Sequence, residues 1–311
     1  MKILITGGAG YLGSMISTDL INNNHKVTVV DNLSYKKQSL KHLFYYKNFN
    51  FINQDVRDVN KMKKIYKSHD VIFPLAALVG APLCDKFKKK AISTNEQAIK
   101  DMLQNISKNQ RIIFPNTNSG YGSSKSNKMC NEETPLLPIS LYGITKKNAE
   151  EMIMERENSI SLRLATVFGI GYRNRKDLLV NFFIYHALKN GELSIFEPNF
   201  RRNYIHLRDI SYTFDYCLEN FNTLKNNIYN VGLSKANLTK LELCKKIQSH
   251  IKNLKIKIIK NAHDPDKRDY FVSNRKLEKK GWKPRVSLDQ GIIEVIKGYS
   301  NFSNTDHDRN Y

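Results

Sequence analysis

Acidic residues are scarce in this chain, which has 29 Asp and Glu against 50 Lys and Arg, a formal charge of +21 over 311 residues. Such an excess invites a nucleic-acid reading. The lysines, however, are spread over most of the chain among many asparagines, and only residues 86–90 (KFKKK) are locally dense. A solvated helix start accounts for that run, so no nucleic-acid partner is expected. Cysteine is also sparse: Cys84, Cys130, Cys217 and Cys244 stand apart without CxxC or CxxxC spacing. That excludes a zinc site of the usual spacing and a disulfide framework, and no metal is expected. No stretch reaches the roughly 18 continuous apolar residues of a spanning helix. The N-terminal MKILIT turns to glycine without the charged and then apolar regions of a signal peptide. The expectation is a cytoplasmic protein with no membrane partner.

What is present is a rhythm. Short apolar, β-branched runs at residues 2–6, 26–30, 49–53, 71–74, 111–114 and 160–164 alternate with longer amphipathic segments. The clearest of those segments are residues 11–23, 91–108 and 140–157. This is the pattern of βαβ units around a parallel sheet. The alternation fades after Phe168, where Gly169, Gly171 and a basic loop at 173–176 lead into a mixed region. The predicted class is α/β: a Rossmann doubly wound sheet over residues 1–168, then a smaller mixed α/β substrate-binding lobe over 169–300. A polar tail follows at 301–311.

Directly after the first predicted strand comes GGAGYLG, in which Gly8, Gly10 and Gly13 satisfy GxGxxG at the opening of a helix. The glycines allow a tight turn and close backbone approach, and the exposed amides of the helix N-terminus suit a pyrophosphate. Gly7, Gly10, Tyr11, Leu12 and Gly13 are the predicted contacts. Asp31 ends the second strand, with Asn32 beside it. A carboxylate there suits the two ribose hydroxyls of NAD and repels the extra phosphate of NADP. Asp55 and Val56 follow the third strand, where they could meet the adenine, and the small Leu75-Ala76-Ala77 stretch follows the fourth.

Tyr142-Gly143-Ile144-Thr145-Lys146 puts a phenol and an ammonium at i and i+4 on one helix face. A nearby cation favours the phenolate, so Lys146 is expected to lower the tyrosine pKa and make Tyr142 a usable base. Thr117, just past the fifth strand in PNTNSGYG, can hold the substrate oxygen beside it.

The glycine loop, Asp31, Asp55, Leu75-Ala76-Ala77, Asn95, Thr117 and YGITK together resemble the extended short-chain dehydrogenase/reductase (NAD-dependent epimerase/dehydratase) family. The segments RLATVFG, RNYIHLRD and YNVG fall later in the same order, so the likeness covers nearly the whole chain. It implies NAD as cofactor, with Asn95 ordering the active site and Lys146 holding the nicotinamide ribose. It also implies a nucleotide-sugar substrate faced by Thr117, Asn118, Ser119, Thr166 and Asn181, with Arg202 and Arg268 neutralising its diphosphate. Members commonly pair through two helices, here residues 91–108 and 140–157, so a homodimer is expected.

Within the resemblance, 4,6-dehydratases carry an Asp-Glu pair after the catalytic Ser/Thr, because removing water needs an acid and a base. This chain has Asn118-Ser119, and neither replaces a carboxylate. The reductase type that uses a cysteine at the position of Ser119 is disfavoured likewise. Simple oxidation, simple reduction and 4-epimerisation need only Thr117, Tyr142 and Lys146. A closer likeness, in PLAALVGAPLC (74–84), PNTNSGYG (115–122) and DPDKRDY (264–270), is to the GDP-D-glycero-α-D-manno-heptose 4-dehydrogenases of bacterial capsule biosynthesis. It implies a GDP-linked heptose oxidised at C4, with a small 2-oxo acid as a possible second oxidant for retained NADH. The rivals are a nucleotide-sugar 4-epimerase or 4-keto reductase and, outside enzymes, an NAD-binding sensor or scaffold. A sensor would keep the glycine loop and lose the triad, which is intact here.

Overall fold

The computed structural model describes residues 1–123, 129–259 and 268–301. Residues 264–267 of the third heptose-type string and the tail from 302 lie outside them. The strands are β1 (Lys2–Thr6), β2 (Lys26–Asp31), β3 (Phe49–Asn53), β4 (Val71–Pro74), β5 (Arg111–Thr117) and β6 (Ser159–Leu164). They continue as β7 (Thr166–Phe168), β8 (Glu192–Ile195), β9 (Arg201–His206), β10 (Asn227–Val231), β11 (Asn237–Thr239) and β12 (Lys255–Ile258). The helices begin with α1 (Tyr11–Asn22), α2 (Val59–Lys67), α3 (Ala81–Lys86), α4 (Lys88–Ile92), α5 (Ala98–Asn105) and α6 (Leu141–Met154). After them come α7 (Leu179–Asn190), α8 (Leu207–Glu219), α9 (Phe221–Leu224), α10 (Lys240–Gln248), α11 (Arg275–Glu278) and α12 (Leu288–Asn301).

Among the described residues, seven strands form one parallel sheet in the order β10-β6-β5-β4-β1-β2-β3. The central apolar runs are buried on both faces, as Ile3, Leu4, Ile5, Val71, Ile72 and Phe73 show, which is why they read as continuous and not alternating. Chain order reverses between β1 and β4. That reversal opens a crevice at the carboxyl ends of the strands, the place where such sheets take ligands. Helix α1 packs with α8, while α6 lies against β5 and β6.

Two features depart from the sequence pattern. The run predicted as one helix over 91–108 is broken by a π-helical turn, Ser93–Gln97, between α4 and α5. The wider turn accompanies an Asn95 side chain that is buried and bonded inward. In addition, β10 leaves the mixed region and joins the main sheet beside β6. The rest of that region builds the small sheets β11-β9-β7 and β12-β8 around a second apolar cluster that includes Phe168, Val180, Ile184, Tyr204 and Ile292. No helix among the described residues is long and apolar enough to cross a membrane.

Candidate active site

The crevice is built from strand ends. At the end of β1, Gly7 takes a positive φ of 73°, and a Cβ there would stand 2.6 Å from the Ala76 backbone nitrogen, so the turn and the β4 end touch through bare backbone. A Cβ at Gly13 would meet the Cα of Gly8 at 2.5 Å, which lets α1 begin tight against the turn. Gly10 caps α1 with no side-chain hydrogen bond, and no acidic residue occupies the first turn. The helix therefore presents backbone amides without a competing carboxylate in its first turn, as a diphosphate site requires. Tyr11 is buried and donates its hydroxyl to the Gly169 carbonyl at 2.8 Å, and Leu12 is half-buried beside it.

Asp31 accepts hydrogen bonds from the amides of Ala9 at 3.0 Å and Leu33 at 2.8 Å, tying the end of β2 to the glycine turn. Burial raises its pKa, and those two amides together with Arg173 oppose the rise. Asn32 donates to Asp55 at 2.9 Å. Asp55 also takes both Nε and Nη2 of Arg57, and this partner holds its carboxyl well below the usual range. Val56 is buried behind it, and Leu75, Ala76 and Ala77 line the β4 end. These residues fit NAD: the glycine cradle, the amides of α1 and the β2 and β3 carboxylates converge on one crevice.

At the end of β5, the Thr117 hydroxyl donates to Ser119 Oγ at 2.9 Å and accepts from the Ser119 amide at 3.1 Å. Tyr142 and Lys146 lie one turn apart on α6, whose start is capped by Ser140. Their electrostatics differ from the sequence expectation. Burial pushes the Tyr142 phenol up to about 12, and the groups that oppose this are Arg268, Arg175 and Thr117. Lys146 is absent from that set. Its amine lies over the Phe114 ring at 3.8 Å, and burial pushes it down to about 7 against the pull of Glu150. The correction has a physical reason: α6 is packed into the sheet, and loss of hydration outweighs the mutual influence of two groups one turn apart.

Asn95 accepts from the Leu78 amide at 2.8 Å and donates to the Leu78 carbonyl at 3.0 Å and to Thr145 at 3.3 Å. It thus links the β4 loop to α6 immediately before Lys146. Asn181, expected to face the substrate, is fully buried and spends its amide on backbone. It accepts from the Gly169 amide at 3.0 Å and donates to the carbonyls of Gly169 at 3.1 Å and Arg175 at 3.0 Å. Arg268 reaches the Ser119 hydroxyl, so this guanidinium stands near the reacting groups. Arg202 is buried, donates to the Arg201 carbonyl at 2.9 Å and lies 5.3 Å from the Tyr270 ring centroid. Thr166 is half-buried in β7 opposite Tyr204. Asn118 is fully buried, and neither atom of its amide has a partner among the described residues. Among those residues no cluster of three or more His, Cys, Asp or Glu could hold a metal ion.

The sequence expectation missed Arg173, which stacks on Tyr35 near the glycine turn, and Arg175, whose charge acts on both Tyr35 and Tyr142. The signal available was the basic run at 173–176. It also missed the buried support of α6. Glu150, one turn past Lys146, receives Arg163 Nη2 at 2.6 Å, Asn116 at 2.7 Å and Ser161 at 2.6 Å.

A doubly wound sheet with a glycine-rich turn at its switch point, and a Thr, Tyr and Lys set across the crevice, defines a nicotinamide-dependent enzyme class. The chain belongs to the NAD dependent epimerase/dehydratase family, whose model matches residues 3–232, and it is an enzyme of this nucleotide-sugar family with NAD as cofactor. It is 26% identical to a putative UDP-glucose 4-epimerase of Methanocaldococcus jannaschii, covering 97% of this chain and all of the other. It is 28% identical to UDP-glucuronic acid decarboxylase 1 of Danio rerio, over 96% and 72% of the two chains. The structure of a Thermotoga maritima UDP-glucose 4-epimerase with UDP-glucose superimposes with a TM-score of 0.80 at 26% identity, covering 98% and 100%. The Thermus thermophilus UDP-glucose 4-epimerase complex with NAD gives 0.81 at 22% identity over 96% and 99%, a likeness of fold.

Proposed function

We propose that this enzyme oxidises C4 of a nucleotide-activated sugar, GDP-D-glycero-α-D-manno-heptose, to the 4-keto sugar in the cytoplasm. The observation that carries this reading is the pairing of Tyr142 and Thr117 at the crevice with an amide and a hydroxyl, Asn118 and Ser119, where a dehydratase would need carboxylates. The likeness of the PLAALVGAPLC string to the heptose 4-dehydrogenases supports the sugar assignment, and its Leu78, Leu83 and Cys84 form an apolar wall against which the Tyr142 ring packs.

NAD, when bound, would accept the hydride from the sugar carbon. Tyr142 takes the proton of the C4 hydroxyl, and Thr117 holds that oxygen. Arg268 and Arg175 make the phenolate less costly to form. Lys146 would hold the nicotinamide ribose, while Asn95 ties the β4 loop to α6 through Thr145. Arg202 and Arg268 serve the diphosphate of the substrate. Asn118, whose buried amide has no partner among the described residues, is assigned to the sugar. Without a further acceptor the cycle stops at NADH, and a small 2-oxo acid fills that role.

The test is incubation of the purified protein with GDP-mannoheptose and, in parallel, UDP-glucose, reading reduced nicotinamide absorbance and product mass. A GDP-linked 4-keto product with NADH formation, and multiple turnovers on adding a 2-oxo acid, is expected. A C4 isomer without net NADH would replace this reading with the 4-epimerase that one relative's name suggests. We further propose that two chains pair through α4, α5 and α6. Phe87, Ile92 and Ile144, each more than 40% exposed, are the apolar groups such a seam would cover. A solution mass of two chains is expected, and a single-chain mass would refute the pairing.

A further inference from the structure

The loop between β7 and α7 comes from the C-terminal half of the chain and folds back over the glycine-rich turn. Tyr11, the first residue of α1, bonds to the Gly169 carbonyl, and Asn181 fastens the loop from the opposite side. Within the loop, Asn174 accepts from the Gly171 amide at 3.2 Å, and Arg175 makes a two-pronged pair with Asp177 at 2.7 and 2.6 Å. The loop is thus fastened on both sides of Arg173, at Gly171 and at Asn174 and Arg175.

The Arg173 guanidinium lies 4.2 Å from the centroid of the Tyr35 ring, beyond the end of β2. Its Nη1 lies 4.0 Å from where a Cβ on Gly10 would stand, at the N-cap of α1. Only 6% of Arg173 is exposed. A buried guanidinium is costly unless anions surround it. The acids acting on Arg173 here are Asp31 and Asp177, while Arg175 adds a like charge, and burial leads the forces that lower its pKa. The guanidinium stands at the amides of the α1 N-terminus, where the diphosphate of a bound dinucleotide would lie.

We propose that Arg173 is an arginine clasp on the cofactor diphosphate, closing over the glycine-rich turn from the C-terminal half and setting how long NAD and NADH stay bound. Tyr35 pre-orients the guanidinium by stacking, which reduces the freedom lost on binding. Lysine cannot substitute fully, because it lacks the planar fork that meets phosphate oxygens two at a time. The inference rests on the family's cofactor and is independent of which sugar is oxidised.

The test compares Arg173→Gln and Arg173→Lys with the unaltered protein, each stripped of nucleotide. The probes are NADH, followed by its fluorescence on release, and ADP-ribose and adenosine, followed by calorimetry. Arg173→Gln should release NADH about tenfold faster or more and lose about tenfold in ADP-ribose affinity, with adenosine changed less than about twofold. Arg173→Lys should fall between Arg173→Gln and the unaltered protein. Release within about twofold of the unaltered protein would overturn the clasp. So would an equal loss for adenosine and ADP-ribose, which would assign Arg173 to holding Tyr35 and the loop. If Arg173→Gln does not fold, Arg173→Lys decides alone: release about threefold faster or more supports the clasp, and unchanged release overturns it.

Discussion

Tyr142→Phe is expected to lower turnover by about 10^3-fold while leaving NAD affinity within about twofold. The substitution removes one oxygen from a partly buried ring that packs against Leu78, Leu83 and Cys84, so the apolar wall survives. What disappears is the group that exchanges the substrate proton. The pH dependence follows from the sign of the shift. Burial raises the Tyr142 phenol to about 12, so the neutral phenol dominates at physiological pH. Oxidation needs the phenolate, and its rate should climb with pH toward about tenfold per unit. Ketone reduction needs the protonated form and should not climb. Lys146, lowered to about 7, loses its charge within the same range and should add an inflection near neutrality. Stopped-flow measurement of NADH formation with the sugar, and of NADH consumption with the 4-keto sugar, between pH 6 and 9 reads all three. Turnover unchanged in Tyr142→Phe would remove this residue from the mechanism.

Glu150→Ala is expected to cost about 3–5 kcal/mol of stability, the usual consequence of leaving a buried charge without its partner. Arg163 and Glu150 are 6% and 3% exposed at their side chains and meet at 2.6 Å. Burial alone would lower the Arg163 pKa, but Glu150 and the Tyr121 phenol hold it above the usual value. Asn116 and Ser161 also donate to Glu150, and Arg163 donates to Tyr121 at 3.0 Å, so one truncation strands donors on both β5 and β6. Glu150→Gln keeps an acceptor without the charge and should cost less. Because Glu150 lies one turn past Lys146 on α6, activity should fall in the fraction that remains folded. Denaturant unfolding supplies the number, and a change under about 1 kcal/mol would mean that the pair is dispensable.

Much of the frame was legible because it is local. The runs at 2–6, 49–53 and 71–74 coincide with β1, β3 and β4 to the residue: β1 and β4 are buried on both faces and need unbroken apolar stretches, while the edge strand β3 mixes Phe and Ile with Asn. The strand, GGAGYLG, helix succession was equally readable, because strand, turn and helix are contiguous in sequence, although Gly7 answers the approach of Ala76 from the β4 end. Other features were hidden for a reason that is also physical. β10 joins the sheet through pairing with β6, more than sixty residues away, and its own five residues do not say which sheet they enter. The π-helical turn at Asn95 is tied to Leu78 and Thr145, neither of which is a sequence neighbour.

The sequence by itself determined which chemical groups are present and at what local spacing: a diphosphate turn, an acid at the end of β2, a hydroxyl at the end of β5, and a phenol and amine four residues apart. Spacing along a helix or strand is set by backbone geometry, so these could be read without the fold. The tertiary structure alone decided how those groups behave. It buried Tyr142 and Lys146 so that desolvation outweighs their proximity, turned Asn181 from the substrate to the backbone, and brought Arg173 across from the other half of the chain onto the glycine turn. Hydration and charge depend on everything packed around a group, and most of what surrounds this crevice comes from distant parts of the chain.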